Sequence, residues 1–167
     1  MQRLRSWRYW PWLRDGALAL LLFLGFRAYQ QRDIVRGTAP DLAGRTLDGA
    51  QVSLAGYRGA PVLLRFWATW CGVCKAEQSN IDAMARGLPV LTVASRSGSA
   101  NEVASYAKSQ RIGHRVIVDP DGSLARRFGV RAFPTTLVID ANGDIRFVEV
   151  GYSTELGLRA RMWLAGL

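Results

Sequence analysis

Cysteine, histidine and methionine are scarce in this chain, at two, one and three residues of 167. A tetrahedral zinc site wants four ligands, and two cysteines with one distant histidine do not make one. Covalent haem attachment needs a histidine directly after the second cysteine, where Lys75 stands. Long apolar runs are missing too. Residues 16–26 are eleven residues without a charge, against the ~20 that a membrane span wants. No repeat or low-complexity tract is visible, so the chain is not a repeat array. Acidic residues are outnumbered 13 to 22, for a formal net charge of +9. That excess is uneven. Residues 1–36 hold seven Arg and two Asp (+5), and residues 37–167 hold fifteen Lys/Arg and eleven Asp/Glu (+4). Arginines flanking an apolar run are what membrane topology produces, so nucleic acid is not expected as a partner.

The apolar run is preceded by Arg3, Arg5, Arg8 and Arg14, interleaved with Trp7, Tyr9, Trp10 and Trp12, and followed by Arg27, Tyr29 and Arg32. Aromatics beside such a run suit a membrane interface, and arginines near the ends can snorkel. The reading is an uncleaved, single-pass signal anchor with its N-terminus in the cytoplasm. A cleaved signal peptide is the alternative, but Phe26-Arg27-Ala28 puts Phe where a small residue is wanted, and Gly37-Thr38-Ala39 is distant. Residues 1–36 are therefore read as anchor and linker, with 28–40 polar and turn-rich. Residues 37–167 are read as one exported domain, long enough for a core of its own. Outside the cytoplasm thiols are oxidised unless something keeps them reduced.

Both cysteines lie in Phe66-Trp67-Ala68-Thr69-Trp70-Cys71-Gly72-Val73-Cys74-Lys75. An apolar run at 61–64 precedes them and reads as a buried strand. Val73, Ala76, Ile81, Met84 and Leu88 follow at helical spacing. The pair thus sits where a strand ends and a helix begins, and the free N–H groups and dipole of a first helical turn favour a thiolate there. Cys71 would be the exposed attacking sulfur, and Cys74, one turn further in, would resolve the mixed disulfide. Lys75 adds a positive charge. A structural disulfide is the plain alternative, though so short a loop restricts the unfolded chain little.

The rest of the domain reads as alternating elements. Asp48-Gly49 marks a hairpin turn. Strands are expected near 89–95, 116–118, 135–139 and 145–150. Ser99-x-x-Glu102 is a capping box, Asp121 can cap a short helix stopped by Gly129, and Ser153 or Thr154 caps a last helix with Leu156, Ala160, Trp163 and Leu164 on one face. The fold class is α/β: a central mixed sheet flanked by helices. Phe133-Pro134 precedes a strand, where proline is normally excluded. A cis peptide in a tight turn is one solution, leaving the Phe133 backbone to pair with an extended substrate. An ordinary trans proline is the other.

Trp67-Ala68-Thr69-Trp70-Cys-x-x-Cys, Gly129-Val130 before Pro134-Thr135, and Ile139-Asp140 before Asn142-Gly143 resemble the thioredoxin superfamily. The best match is its membrane-anchored TlpA/ResA-like thiol-disulfide oxidoreductases, with a thioredoxin-like fold extended by an N-terminal hairpin. Residues 91–98, the ending Gly151-Tyr152-Ser153-Thr154 with Met162-Trp163, and residues 12–16 are similar to the copper-sensitivity suppressors of that branch.

The resemblance implies catalysis by Cys71 and Cys74 with Pro134 beside them, a redox-active disulfide in place of any cofactor, and no bound metal. It implies client proteins with disulfides, an integral membrane thiol-disulfide reductase as electron donor, a monomer in the inner membrane with its domain in the periplasm, and a part in copper tolerance. Trp70, Gly72, Val73 and Phe133 would meet the client.

Arg65 departs from the family, standing six residues before Cys71 where thioredoxins carry a buried Asp. Glu77 matches an acidic position of the TlpA/ResA-like branch. The two are expected either to pair beneath the site, with Glu77 accepting the Cys74 proton, or to point to solvent. His114 is read as a surface residue at a strand edge, and Asp82, Asp119 and Asp121 as caps or solvated positions. Two other activities stay open: Cu(I) binding by the two thiolates, and supply of reductant for cytochrome c maturation. Peroxide reduction wants Thr three residues before its Cys, and Thr69 is two before Cys71.

Overall fold

β4 (Val62–Trp67) has six buried residues in a row, and the folded domain is arranged around it. The computed structural model describes residues 10–167, and the chain divides into two units, 1–32 and 33–167. In the first, α1 (Trp10–Gln31) runs for 22 residues, about 33 Å at the usual helical rise. Leu18, Leu20, Leu21, Leu22 and Leu24 are exposed on it. Among the described residues no helix is long and apolar enough to cross a membrane. The arginines and aromatics expected to flank the run within residues 1–9 lie outside the described residues.

In the second unit, β1 (Gly37–Thr38), β5 (Val90–Ser95), β6 (Arg115–Asp119), β7 (Thr135–Ile139) and β8 (Asp144–Val150) join β4 in one sheet of order β1-β8-β7-β4-β5-β6. β4 runs parallel to β5 and antiparallel to β7, so the sheet is mixed. β2 (Ala43–Arg45) and β3 (Gln51–Ser53) form a separate hairpin, closed where Gly49 N–H donates to Thr46 O at 2.9 Å.

Successive side chains of β4 point to opposite faces. Leu64 and Phe66 meet Leu91, Val93, Leu137, Phe128 and the hairpin's Val52 on one face. Leu63 meets Ile81 and Met84 of α2 (Gly72–Ala85) and Leu158 and Met162 of α5 (Glu155–Ala165) on the other. α3 (Ala100–Ser109) opens on the expected capping box and brings Tyr106 against Trp67, with ring centroids 5.8 Å apart. α4 (Ser123–Arg127) packs Ala125 into the first face.

Three local expectations are corrected. The buried side of α2 is Cys74, Glu77, Ile81, Ala83 and Met84, while Val73 is exposed. The buried side of α5 is Leu158, Met162 and Ala165, and Leu156, Trp163 and Leu164 face outward. Residues 33–38 do more than link. Ile34 enters the core, Val35 N–H donates to Phe128 O at 3.2 Å, and β1 pairs with β8. Gly129 permits this. It sits at φ +70°, and a Cβ there would lie 1.8 Å from the Asp33 carbonyl.

Candidate active site

Three hydrogen bonds shape the turn from β4 into α2. Cys71 N–H donates to Ala68 O at 3.2 Å, Thr69 N–H to Ser97 Oγ at 3.0 Å, and Trp70 Nε1–H to Arg96 O at 2.9 Å. They leave Cys71 in extended backbone as the N-cap of α2, with its Sγ accepting from Cys74 N–H at 3.1 Å. A sulfur there occupies the place of a capping oxygen, at the positive end of the helix dipole. Cys71 and Cys74 form a disulfide with their Cα atoms 5.2 Å apart.

Cys71 is 7% exposed and Cys74 2%, so the first sulfur is the more accessible but more covered than the openly exposed nucleophile expected. Its cover is the loop before β7. The Phe133–Pro134 peptide is cis, and Phe133 O lies 3.5 Å from Cys71 Sγ. Pro134 is buried, and its carbonyl accepts from Gly151 N–H at 2.8 Å. Trp70, 64% exposed, meets Phe133 edge-on with centroids 5.8 Å apart. Gly72 and Val73 are exposed at the rim. Lys75 Nζ lies 5.8 Å from the Tyr106 ring centroid.

Beneath the disulfide Arg65 and Glu77 pair, the first of the two arrangements expected for them, and neither points to solvent. Arg65 points from β4 to the α2 face of the sheet, fully buried, with Nε 2.9 Å from Glu77 Oε2. Its Nη2 donates to Cys74 O at 3.0 Å. The other Glu77 oxygen accepts from Ser153 N–H at 2.7 Å. Burial holds the Glu77 carboxyl above its ordinary range, although Arg65 and the Ser153 amide pull it down. Burial likewise lowers Arg65, against the pull of Glu77. Among the described residues, the buried side-chain polar atoms without a partner are Arg65 Nη1, Thr136 Oγ1 and Ser153 Oγ. Thr136 is the cross-strand neighbour of Arg65. The interior below Cys74 is therefore polar, with a carboxyl whose proton affinity is raised.

His114 is not a surface residue. Its side chain is 1% exposed, with Nε2 3.1 Å from Gln78 Nε2 and Nδ1 3.4 Å from Thr92 Oγ1. Thr92 Oγ1 also accepts from Trp67 Nε1–H at 3.2 Å and donates to Arg115 O at 3.1 Å. Gln78 donates to Asp82 at 2.9 Å. Burial first, and the Arg65 charge second, lower the imidazole from 6.5 to about 4, against a hydrogen bond to the Arg115 backbone that raises it. At neutral pH it is an uncharged link, with Nδ1–H donating to Thr92 and Nε2 accepting from Gln78. Asp119, read as a cap or solvated, is a buried cap: it accepts from Leu124 N–H, Ala125 N–H and Ser95 Oγ–H. The sequence signal for Glu77 was its family position. His114, Thr92 and Gln78 carried none.

Residues 35–148 match the AhpC/TSA family. A thioredoxin-like protein of Haemophilus influenzae is 31% identical over 158 residues, 92% of this chain and 94% of its own. The thiol-disulfide oxidoreductase ResA of Geobacillus thermodenitrificans is 27% identical over 152 residues, 88% of this chain and 87% of its own. Among solved structures, a thiol:disulfide interchange protein of the thioredoxin family from Chlorobium tepidum superposes with a TM-score of 0.68 at 28% identity. It covers 80% of this chain and 98% of that one.

Proposed function

The chain belongs to the AhpC/TSA family with a thioredoxin-like fold, is a thiol-disulfide oxidoreductase of the ResA and DsbE type, and we propose that it works as an exported, membrane-anchored reductase of client disulfides. The observation that carries this is Cys71 Sγ at the α2 N-cap, 3.1 Å from Cys74 N–H and 3.5 Å from Phe133 O. The Cys71 thiolate attacks a client disulfide, a mixed disulfide forms, and a client thiolate leaves. Cys74 then attacks Cys71 Sγ and expels the second client thiol. Two electrons pass to the client and the Cys71–Cys74 disulfide closes. Glu77 takes the Cys74 proton, a role its raised proton affinity suits. The site supplies no electrons of its own, so an integral membrane thiol-disulfide reductase restores the dithiol.

Anchoring through α1 rests on the uncharged run at 16–26, its exposed leucines and the flanking arginines. On this reading the domain lies in the periplasm on an inner-membrane tether, as a monomer, and the resemblance of residues 91–98 and 151–163 to copper-sensitivity suppressors supports a part in copper tolerance. The test is a Cys74→Ala variant in cells. It is expected to accumulate mixed disulfides on Cys71 that release client and donor on reduction. An alkylatable Cys71 that captures no protein would end the proposal.

A further inference from the structure

A cavity of about 570 Å³ is lined by Asp33, Arg96, Arg126, Gly129, Val130 and Arg131. One wall is the segment that continues from Val130 into Phe133 and Pro134. Arg96 lines it as well, and its carbonyl holds the Trp70 indole. Two of its lining segments thus lead directly to the Trp70–Phe133 pair beside Cys71: Val130–Arg131 through the chain, and Arg96 through its carbonyl.

Its charge is one-sided. Three guanidinium groups line it against one carboxylate, Asp33, which is 3.3 Å from Arg131 Nε. Arg126 is turned toward the exposed Asp121, at 3.5 Å. Arg96 has no hydrogen bond or ion pair to its guanidinium among the described residues, and its stem lies over Gly122. Arg96 also occupies the left-handed region at φ +50°, which non-glycine residues rarely adopt outside sites where the surroundings impose it. The backbone explains how it is held: its N–H donates to Asp119 O at 2.9 Å and its carbonyl accepts from Trp70.

We propose that this arginine-lined cavity selects clients, receiving an acidic segment that flanks the disulfide under attack. The inference rests on the oxidoreductase reading and deepens it. An extended client advances about 3.3 Å per residue. With its sulfur on Cys71 and its backbone along Phe133, its flanking residues run along the segment that leads to Arg131, and Arg96 and Arg126 line the same cavity. Asp or Glu there meets guanidinium groups able to take a carboxylate by two hydrogen bonds. Lys or Arg meets like charge. Such complementarity acts on association rate and partner choice more than on the exchange chemistry.

The test uses the reduced full chain in an uncharged detergent and three peptides of equal length containing the same disulfide. Two residues placed three positions from the attacked cysteine are Glu, Gln or Lys. At low salt the Glu peptide is expected to react about 5–10-fold faster than the Gln peptide, and the Lys peptide slower by a similar factor. The spread should shrink to about twofold at ~0.5 M salt, where charges are screened over a few ångströms. In R96Q/R126Q/R131Q the Glu-to-Gln ratio should collapse to about twofold or less at low salt. Equal rates for the three peptides, or a ratio that survives the triple substitution, would overturn the proposal while leaving the oxidoreductase intact. Failure of even the Gln peptide to exchange would overturn both.

Discussion

Arg65 and Glu77 bind each other with neither side chain exposed, Nε to Oε2 at 2.9 Å, and the same guanidinium holds the carbonyl of Cys74. A full positive charge is thus anchored to the backbone of the resolving cysteine. Charges buried this way are tolerated only as a pair, and that dependence can be measured.

Removing one partner strands the other. Arg65→Met is expected to cost about 3–5 kcal/mol, the usual penalty for an uncompensated buried charge. The double variant Arg65→Met/Glu77→Gln should recover most of it, since a side-chain amide oxygen in place of the carboxylate still accepts from Ser153 N–H. Urea denaturation of the oxidised proteins measures both, and single and double variants of equal stability would contradict the coupling.

Glu77→Gln alone keeps an oxygen for Arg65 and Ser153 but removes the proton acceptor and leaves the Arg65 charge without a counter-charge. Release of the trapped client by Cys74 should slow by about 100-fold, the lower end of what general base catalysis contributes. The Cys71 alkylation rate should be little changed. Stopped-flow resolution of the two steps distinguishes this from a general loss of structure, which would affect both.

His114 makes stability depend on pH. Its folded pKa of about 4 lies below the ordinary 6.5, so between those values the unfolded chain binds more protons. Stability therefore rises with pH across that window, is fully present above about 6.5 and is lost as pH falls toward 4. The contribution is on the order of 3 kcal/mol. His114→Gln should flatten the stability curve between about pH 4.5 and 6.5, measured by denaturant midpoints.

Phe133 covers the nucleophile. Phe133→Thr removes the edge-on contact with Trp70, worth about 0.5–1.5 kcal/mol, and should speed alkylation of reduced Cys71 several-fold. An unchanged alkylation rate would mean that Trp70 and the backbone alone shield the sulfur.

The two sides of α5 differ sharply. Leu158→Ala should cost about 2–5 kcal/mol, because the side chain is wholly buried. Leu156→Ala, at 79% exposure, should stay within about 0.5 kcal/mol. Thermal unfolding of the two variants decides it.

The chain alone placed the cysteine pair between a buried strand and a helix, the Ser99–Glu102 box, the turn at Gly49 and the strand at 135–139. These are local matters: apolar periods of two and 3.6, caps that close within three residues, and turn residues with restricted φ. Three-dimensional packing decided the rest. Glu77 and Val73 lie on one helix, and either could have turned inward. Glu77 did so because Arg65, 12 residues away, and Ser153, 76 residues away, supply its partners. His114 is buried because Thr92 and Gln78, 22 and 36 residues away, meet its two nitrogens. On α5 the sheet covers Leu158 and Met162 rather than the Leu156 and Leu164 face, because helical spacing shows that a face exists but not which one is covered. A polar group's place is set by whether distant chain brings it a partner, and that information exists only once the sheet has formed.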